Sequence, residues 1–167
     1  MFHTDGLKKL IFLSLCLVFA LALSFLEGLV PLSGALPGVK IGVSNIVILA
    51  IIYIYSPAEG FLLAFLKSLL ISLVSGNASS FFYSLSGGLL SAGVMGACKN
   101  IKALSPIGVS MLGSIFHIIG QLICAFFMLG SVTVFYYYPF LSVTSAVSGF
   151  INGYLVKLLL ERLERRV

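Results

Sequence analysis

Carboxylates are the scarcest functional groups in this chain. Its 167 residues hold five, Asp5, Glu27, Glu59, Glu161 and Glu164, and only one of them is an aspartate. Magnesium-dependent diphosphate chemistry draws on clustered carboxylates, so the chain cannot assemble an aspartate-rich metal site by itself. It also lacks a GxxxxGK[ST] loop, which excludes ATP hydrolysis by that route. Histidine occurs twice, as His3 and His117, and no acid lies near His117 in sequence to orient it. Intrinsic catalysis is therefore not expected, and no metal or cofactor is implied. The three cysteines, Cys16, Cys98 and Cys124, form no CxxC pair and no metal-like spacing, and read as reduced packing residues.

Charge of either sign is sparse. Charged residues make up 9% of the chain and hydrophobic ones 60%, against about 25% and about 45–50% in an ordinary soluble domain. Long apolar stretches recur along the whole length, so the solvent for most of this protein is lipid. The runs are continuous rather than short and alternating, which favours helices over a barrel. The expected fold is an all-α polytopic membrane protein: a single integral-membrane domain over 1–167 with six transmembrane helices, at about 8–28, 41–55, 58–75, 81–98, 106–130 and 133–160. Breakers separate them: VPLSGALPG, SPAEG, SGNASS, KNIKALSP and the turn near Gly130.

The ten Lys and Arg give a formal charge of +5, and their positions set the topology. Lys8 and Lys9 precede the first span, Lys99 and Lys102 lie between the fourth and fifth, and Arg162, Arg165 and Arg166 follow the sixth. Cations are retained on the cytoplasmic side, so both termini are expected inside a bacterial cytoplasmic membrane. The outer loops then carry a single cation, Lys40. No aromatic-interleaved basic face accompanies these clusters, so nucleic acid is not an expected partner. A cleaved signal peptide is the competing reading of the N-terminus, but the apolar run from Leu10 to Leu26 exceeds a usual h-region.

Small residues recur at every fourth position in three spans: Ser84, Gly88, Ala92 and Gly96; Ser145, Gly149 and Gly153; and Ala20, Ser24 and Gly28. Such stripes let helices approach closely. Internal packing explains the first two, whereas Ala20 and Ser24, on an otherwise apolar helix, suggest a face that docks a partner membrane protein.

Polar residues inside the spans are costly without partners. Lys67 lies near the centre of the third span, His117 and Gln121 are stacked four apart in the fifth, Asn152 sits in the sixth, and Glu27, Lys40 and Asn45 gather near the outer ends of the first two. These seven are expected to converge on a cavity that binds a small, anionic compound. Structural readings stand beside that one: Glu27 and Lys40 as an ion pair closing the first loop, Lys67 reaching a carbonyl or Glu27, and the His and amide groups bridging helices. Phe81-Phe82-Tyr83 and Phe135-Tyr136-Tyr137-Tyr138 fall at the outer interface as an aromatic belt or a ligand lining. The tail LLLERLERRV extends the last span as a basic amphipathic helix.

Three segments, PGVKIGVSNIV, FFYSLSGGLLSAGVM and SPIGVSMLGSIFHIIGQLICA, resemble the Gx transporter or heptaprenyl diphosphate synthase component I membrane proteins. That group looks like the substrate-binding S components of energy-coupling factor (ECF) transporters, and the resemblance runs from about Leu10 to Leu160. It implies a six-helix S component that captures a cofactor precursor or vitamin-like compound from outside, beneath a first loop acting as lid. Its implied partners are a transmembrane T component and two cytoplasmic ABC ATPases, with membrane lipid around it. S components meet the T component through an AxxxA motif in the first helix; Ala20-x-x-x-Ser24 departs from it while keeping a small surface. The older family name implies instead a non-catalytic membrane accessory subunit of a prenyl diphosphate synthase.

Overall fold

In the computed structural model, residues 6–29, 40 and 42–165 are described. They form α1 (Gly6–Leu29), α2 (Asn45–Ile54), α3 (Pro57–Ser75), α4 (Ala78–Cys98), α5 (Pro106–Leu129) and α6 (Tyr138–Glu164), with a short 3₁₀ segment Val132–Tyr137 before α6. There is no strand among the described residues. The boundaries follow local chemistry. Ser56 and Ser105 accept from the amides of Ala58 and Gly108 just ahead of Pro57 and Pro106, and Asn77 accepts from Ser79. Gly76 and Gly130, both at φ 62, end α3 and α5 in the left-handed conformation that glycine adopts without strain.

Five of these helices are long and apolar enough to cross a membrane, and the protein is integral to it. The second is different. Its stretch was expected to span over 41–55, yet α2 has only 10 helical residues, about 15 Å of rise against a hydrocarbon thickness of about 30 Å. Gly42 at φ 93 and the turn through Val43 and Ser44 delay the helix until Asn45. Hydropathy does not distinguish that bent entry from helix, because Ile, Val and Gly are apolar in either.

The contacts fix how the helices run. Lys9 and Glu59 pair at 2.5 Å, so α1 and α3 start at one end, and a Cβ on Gly96 would lie 2.9 Å from Pro57, which brings the end of α4 there too. Lys8, Lys9, Lys99, Lys102, Arg162 and Arg165 therefore share what we call the basic end. The entry of α2 meets the opposite half of α1 through Glu27. Lys67, in the middle of α3, bonds Ser44, so α2 begins near mid-depth and runs toward the basic end.

The small-residue stripes bring these helices together. A Cβ on Gly88 would lie 3.7 Å from Ala64, one on Gly149 2.9 Å from Met111 Cα, and one on Gly153 2.5 Å from Ile107 Cα. Thus α4 packs on α3, and α6 on α5, along the stripes read in the sequence. The α1 stripe requires a correction. Ala20 and Ser24, expected to face a partner, are the two buried residues of α1. Ala20 packs with Val47, Ile51 and Leu63, and Ser24 receives Lys40. The outward surface of α1 is large and apolar, with Leu15, Val18 and Phe19 all exposed.

At the basic end α1 is tied by Lys9, which pairs with Glu59 and lies 5.2 Å from the Tyr55 ring centre. Both side chains are partly open to solvent, 35% and 21%, so screening limits the pair to about 1 kcal/mol. Lys9→Met is expected to lower the Tm in detergent by roughly 2–4 °C; an unchanged Tm would show that apolar contacts alone hold α1.

Candidate functional site

The site forms where the chain fails to be helical inside the bundle. A backbone without helical hydrogen bonds is tolerated at membrane depth only if protein groups satisfy it. Lys40 and residues 42–44, the entry to α2, meet that demand with side chains from three helices, and a fourth helix holds the Ser44 hydroxyl. The Lys40 amide donates to Gln121 Oε1 of α5 at 3.0 Å. The amides of Gly42 and Val43 donate to the Glu27 carboxylate of α1, and the Gly42 carbonyl accepts from Asn152 Nδ2 of α6 at 3.2 Å. Lys67 Nζ of α3 donates to Ser44 Oγ at 3.0 Å.

A second layer orients the first. Gln121 Nε2 and His117 Nε2 are 2.9 Å apart, so the amide that receives the Lys40 backbone is held by the imidazole one turn away. The ring has room because position 87 is glycine: a Cβ there would lie 2.8 Å from His117 Cε1. Asn45 Nδ2 donates to Ser91 Oγ of α4 at 3.3 Å. Gly42 is needed twice, for its φ of 93 and because a Cβ would lie 2.9 Å from Asn45 Nδ2.

All seven residues expected at a ligand site, Glu27, Lys40, Asn45, Lys67, His117, Gln121 and Asn152, thus lie in one connected cluster. They surround the entry segment rather than an open space. The ion pair considered between Glu27 and Lys40 is not formed: Lys40 Nζ donates instead to the carbonyl and hydroxyl of Ser24, at 3.2 and 3.1 Å. Glu27 is occupied by the amides that lead into α2, and its second oxygen, like Asn45 Oδ1, is buried with no hydrogen-bond partner.

The electrostatics are unbalanced. Lys67 is 1% exposed and Lys40 half-buried, against the single carboxylate of Glu27. The other described acids stand toward the basic end, Glu59 paired to Lys9, Glu161 beside Lys157, and Glu164 at the end of α6. Two cations and one anion leave the interior with one formal positive charge in surroundings that disfavour it.

A cavity of about 400 Å³ lies beside the cluster, between α1, α3 and α4, lined by Ser24, Phe25, Gly28, Lys40, Ile71 and Ser80 among others. A second hollow of about 180 Å³, between α1, α2 and α6, is lined by apolar residues such as Phe12, Phe19 and Leu155. The aromatic groups divide: Tyr83 is buried against Ile118 and Leu122, whereas Phe82 and Tyr136 remain exposed as a belt would require. The first loop, VPLSGALPG, expected to act as a lid, lies outside the described residues, as does Arg166.

Sequence reading missed Gly42, Ser44, Gly87 and Ser91. A serine in an apolar helix carries little signal, because its hydroxyl bonds its own backbone as readily as a neighbour, as Ser86 does with Phe82 at 2.8 Å. Gly42 stands two residues after Lys40 and three before Asn45, and that spacing of glycine between two polar side chains was the available clue.

Fold and site together define a helical integral-membrane protein whose short second helix begins in a polar, net cationic interior. Within that class the chain belongs to the heptaprenyl diphosphate synthase component I family, whose model matches residues 16–159. No curated protein and no solved structure matches it.

Proposed function

We propose that this protein is a non-catalytic, membrane-embedded substrate-binding component of an ECF-type importer, which captures a small anionic compound of the cofactor-precursor or vitamin-like kind. One observation carries the reading: Lys40 and Lys67 hydrogen-bond neutral serine groups, and among the described acids Glu27 alone lies near them, so an anion entering the cluster neutralises a charge that is otherwise expensive at that depth. Glu27, Asn45, His117, Gln121 and Asn152 would then exchange some of their bonds to the entry segment for bonds to the ligand. The whole chain acts as one domain. The gathering of basic residues at one end supports a bacterial cytoplasmic membrane with both termini inside. Transport requires a transmembrane T component and two ABC ATPases, since the chain has no nucleotide-binding loop.

The family name favours a second reading, a non-catalytic accessory subunit that holds a prenyl diphosphate group for a soluble synthase. Affinity purification of the tagged chain from its native membranes, with mass spectrometry of copurifying proteins, separates the two. Recovery of an ATPase pair with a second membrane protein is the expected result. A soluble prenyl synthase without ATPases would overturn the importer reading in favour of the accessory one.

A further inference from the structure

From Leu10 to Val156 the charged side chains of the sequence are Glu27, Lys40, Glu59, Lys67, Lys99 and Lys102. Glu59, Lys99 and Lys102 stand at the basic end, so the rest of this stretch, the first loop included, carries two cations and one anion. The excess is a single positive charge, and a ligand with one negative charge cancels it. A phosphate monoester brings about −1.5 to −2 at neutral pH, and a diphosphate more, so either leaves negative charge uncompensated at a depth where charge is costly.

The cavity between α1, α3 and α4 has the groups to receive that one charge. Ser24 and Ser80, 1% and 8% exposed, line it together with the ammonium of Lys40. An ammonium has three protons to donate, and the acceptors of Lys40 Nζ among the described residues are the two oxygens of Ser24, which leaves one proton over. The Ser80 hydroxyl makes no hydrogen bond among the described residues, where only its backbone amide is engaged. Ser80 also stands in the first turn of the 21-residue α4, whose dipole favours a negative group there. Lys67, four residues before Ile71 on the same face of α3, adds its charge from beneath. The mouth is polar: Ser75 and Asn77 are exposed on either side of the α3–α4 turn, at the end of the bundle opposite the basic one. Toward lipid, α1 and α3 pack against each other, and Phe25, Leu29 and Ile71 give the cavity its apolar wall.

We infer that the ligand is a compact, water-soluble monocarboxylate with an apolar body, which enters from water beside the α3–α4 turn and rests its carboxylate against Lys40 and Ser80. This rests on the reading of the interior as an anion-capturing site and specifies the ligand's charge, size and route of entry. The volume of about 400 Å³ lies within the range of about 300–1,000 Å³ usual for small-molecule sites. The apolar hollow between α1, α2 and α6 has no polar group to hold a carboxylate and does not compete.

The test is calorimetric titration of the full chain in dodecyl maltoside with three probes of similar shape: 2-naphthoate, singly negative, 2-naphthamide, neutral, and 2-naphthyl phosphate, nearly doubly negative. One 2-naphthoate per chain is expected, bound about tenfold or more tightly than either of the others. Lys40→Met should weaken it by about tenfold, and Ser80→Ala, which deletes a hydroxyl without breaking a bond, by about threefold. Gly28→Leu fills the cavity and should weaken it by about tenfold as well; a Cβ there would lie 3.8 Å from Lys40 Cε, an ordinary contact that leaves the fold intact. 2-Naphthyl phosphate bound more tightly than 2-naphthoate, and lost in Lys40→Met, would overturn the monocarboxylate while leaving anion capture standing. 2-Naphthoate bound equally by the wild type and all three variants would overturn this cavity as its site. Equal binding of 2-naphthamide and 2-naphthoate would overturn anion capture as well. Binding of none of the three would overturn the inference and leave anion capture to be judged by what the chain carries from its native membrane.

Discussion

Lys67→Met is expected to weaken anion binding by about a hundredfold while leaving the protein as stable as before, or more so. The two halves of that result have one cause. Lys67 is 1% exposed, and its hydrogen-bond partner among the described residues is the neutral hydroxyl of Ser44. An ammonium so placed has given up its hydration without gaining an adjacent carboxylate, so replacing it by an apolar side chain of similar length removes a penalty. The anion loses its charge partner at the same time, and truncating one side of a buried charged contact costs about 2–5 kcal/mol, of which about 2.8 kcal/mol is a hundredfold. Titration of anionic probes, with thermal unfolding in the same detergent, measures both. A variant that fails to fold would instead make Lys67 a strut for the entry segment.

Gly120→Leu is expected to damage the fold severely. A Cβ at this position would lie 2.6 Å from the Ser86 carbonyl oxygen and 3.0 Å from Gly87 Cα, both backbone atoms that no rotamer change can move aside. The α4–α5 contact must therefore open along its length, and overpacking of this kind costs about 1–3 kcal/mol or more. At about 3 kcal/mol, the upper end of that range, the Tm in detergent should fall by roughly 6–12 °C. Because His117 and Gln121 flank this contact, the polar cluster opens with it and anion binding should weaken as well. Gly93→Ala serves as the control, since its Cβ would meet Phe61 Cζ at 3.4 Å, and its Tm should move by about 1 °C or less. Equal effects of the two substitutions would show that the α4–α5 approach is looser than drawn here.

The contrast between these two sites shows what the sequence could and could not convey. Lys67, His117 and Gln121 were legible because a charged or amide side chain in an apolar run is improbable unless something satisfies it, and the four-residue spacing of His117 and Gln121 places them on one face without further information. The stripes of α4 and α6 were legible for the same periodic reason. The direction of the α1 stripe was not: periodicity shows that Ala20 and Ser24 share a face, but whether that face meets the bundle or a partner depends on Lys40 and the hydrophobic cluster around Val47 and Ile51, which are distant in sequence. The short second helix was hidden in the same way. Residues 41–55 are apolar enough to read as a span, and only the bonds from Glu27, Gln121 and Asn152 to the backbone reveal that the chain enters the bundle bent. Hydropathy counts side chains, whereas that turn is a property of amides.

The central claim, that a net cationic interior exists to hold an anion, is tested most directly by what the protein carries. Wild-type chain and Lys67→Met, each purified from native membranes under gentle conditions, would be denatured and their released small molecules compared by mass spectrometry. One anionic compound present near one per chain in the wild type and absent from the variant is the predicted result. No enriched anion in the wild type, or the same compound in equal amounts on both, would contradict the account and leave the polar cluster as scaffolding for the entry to α2.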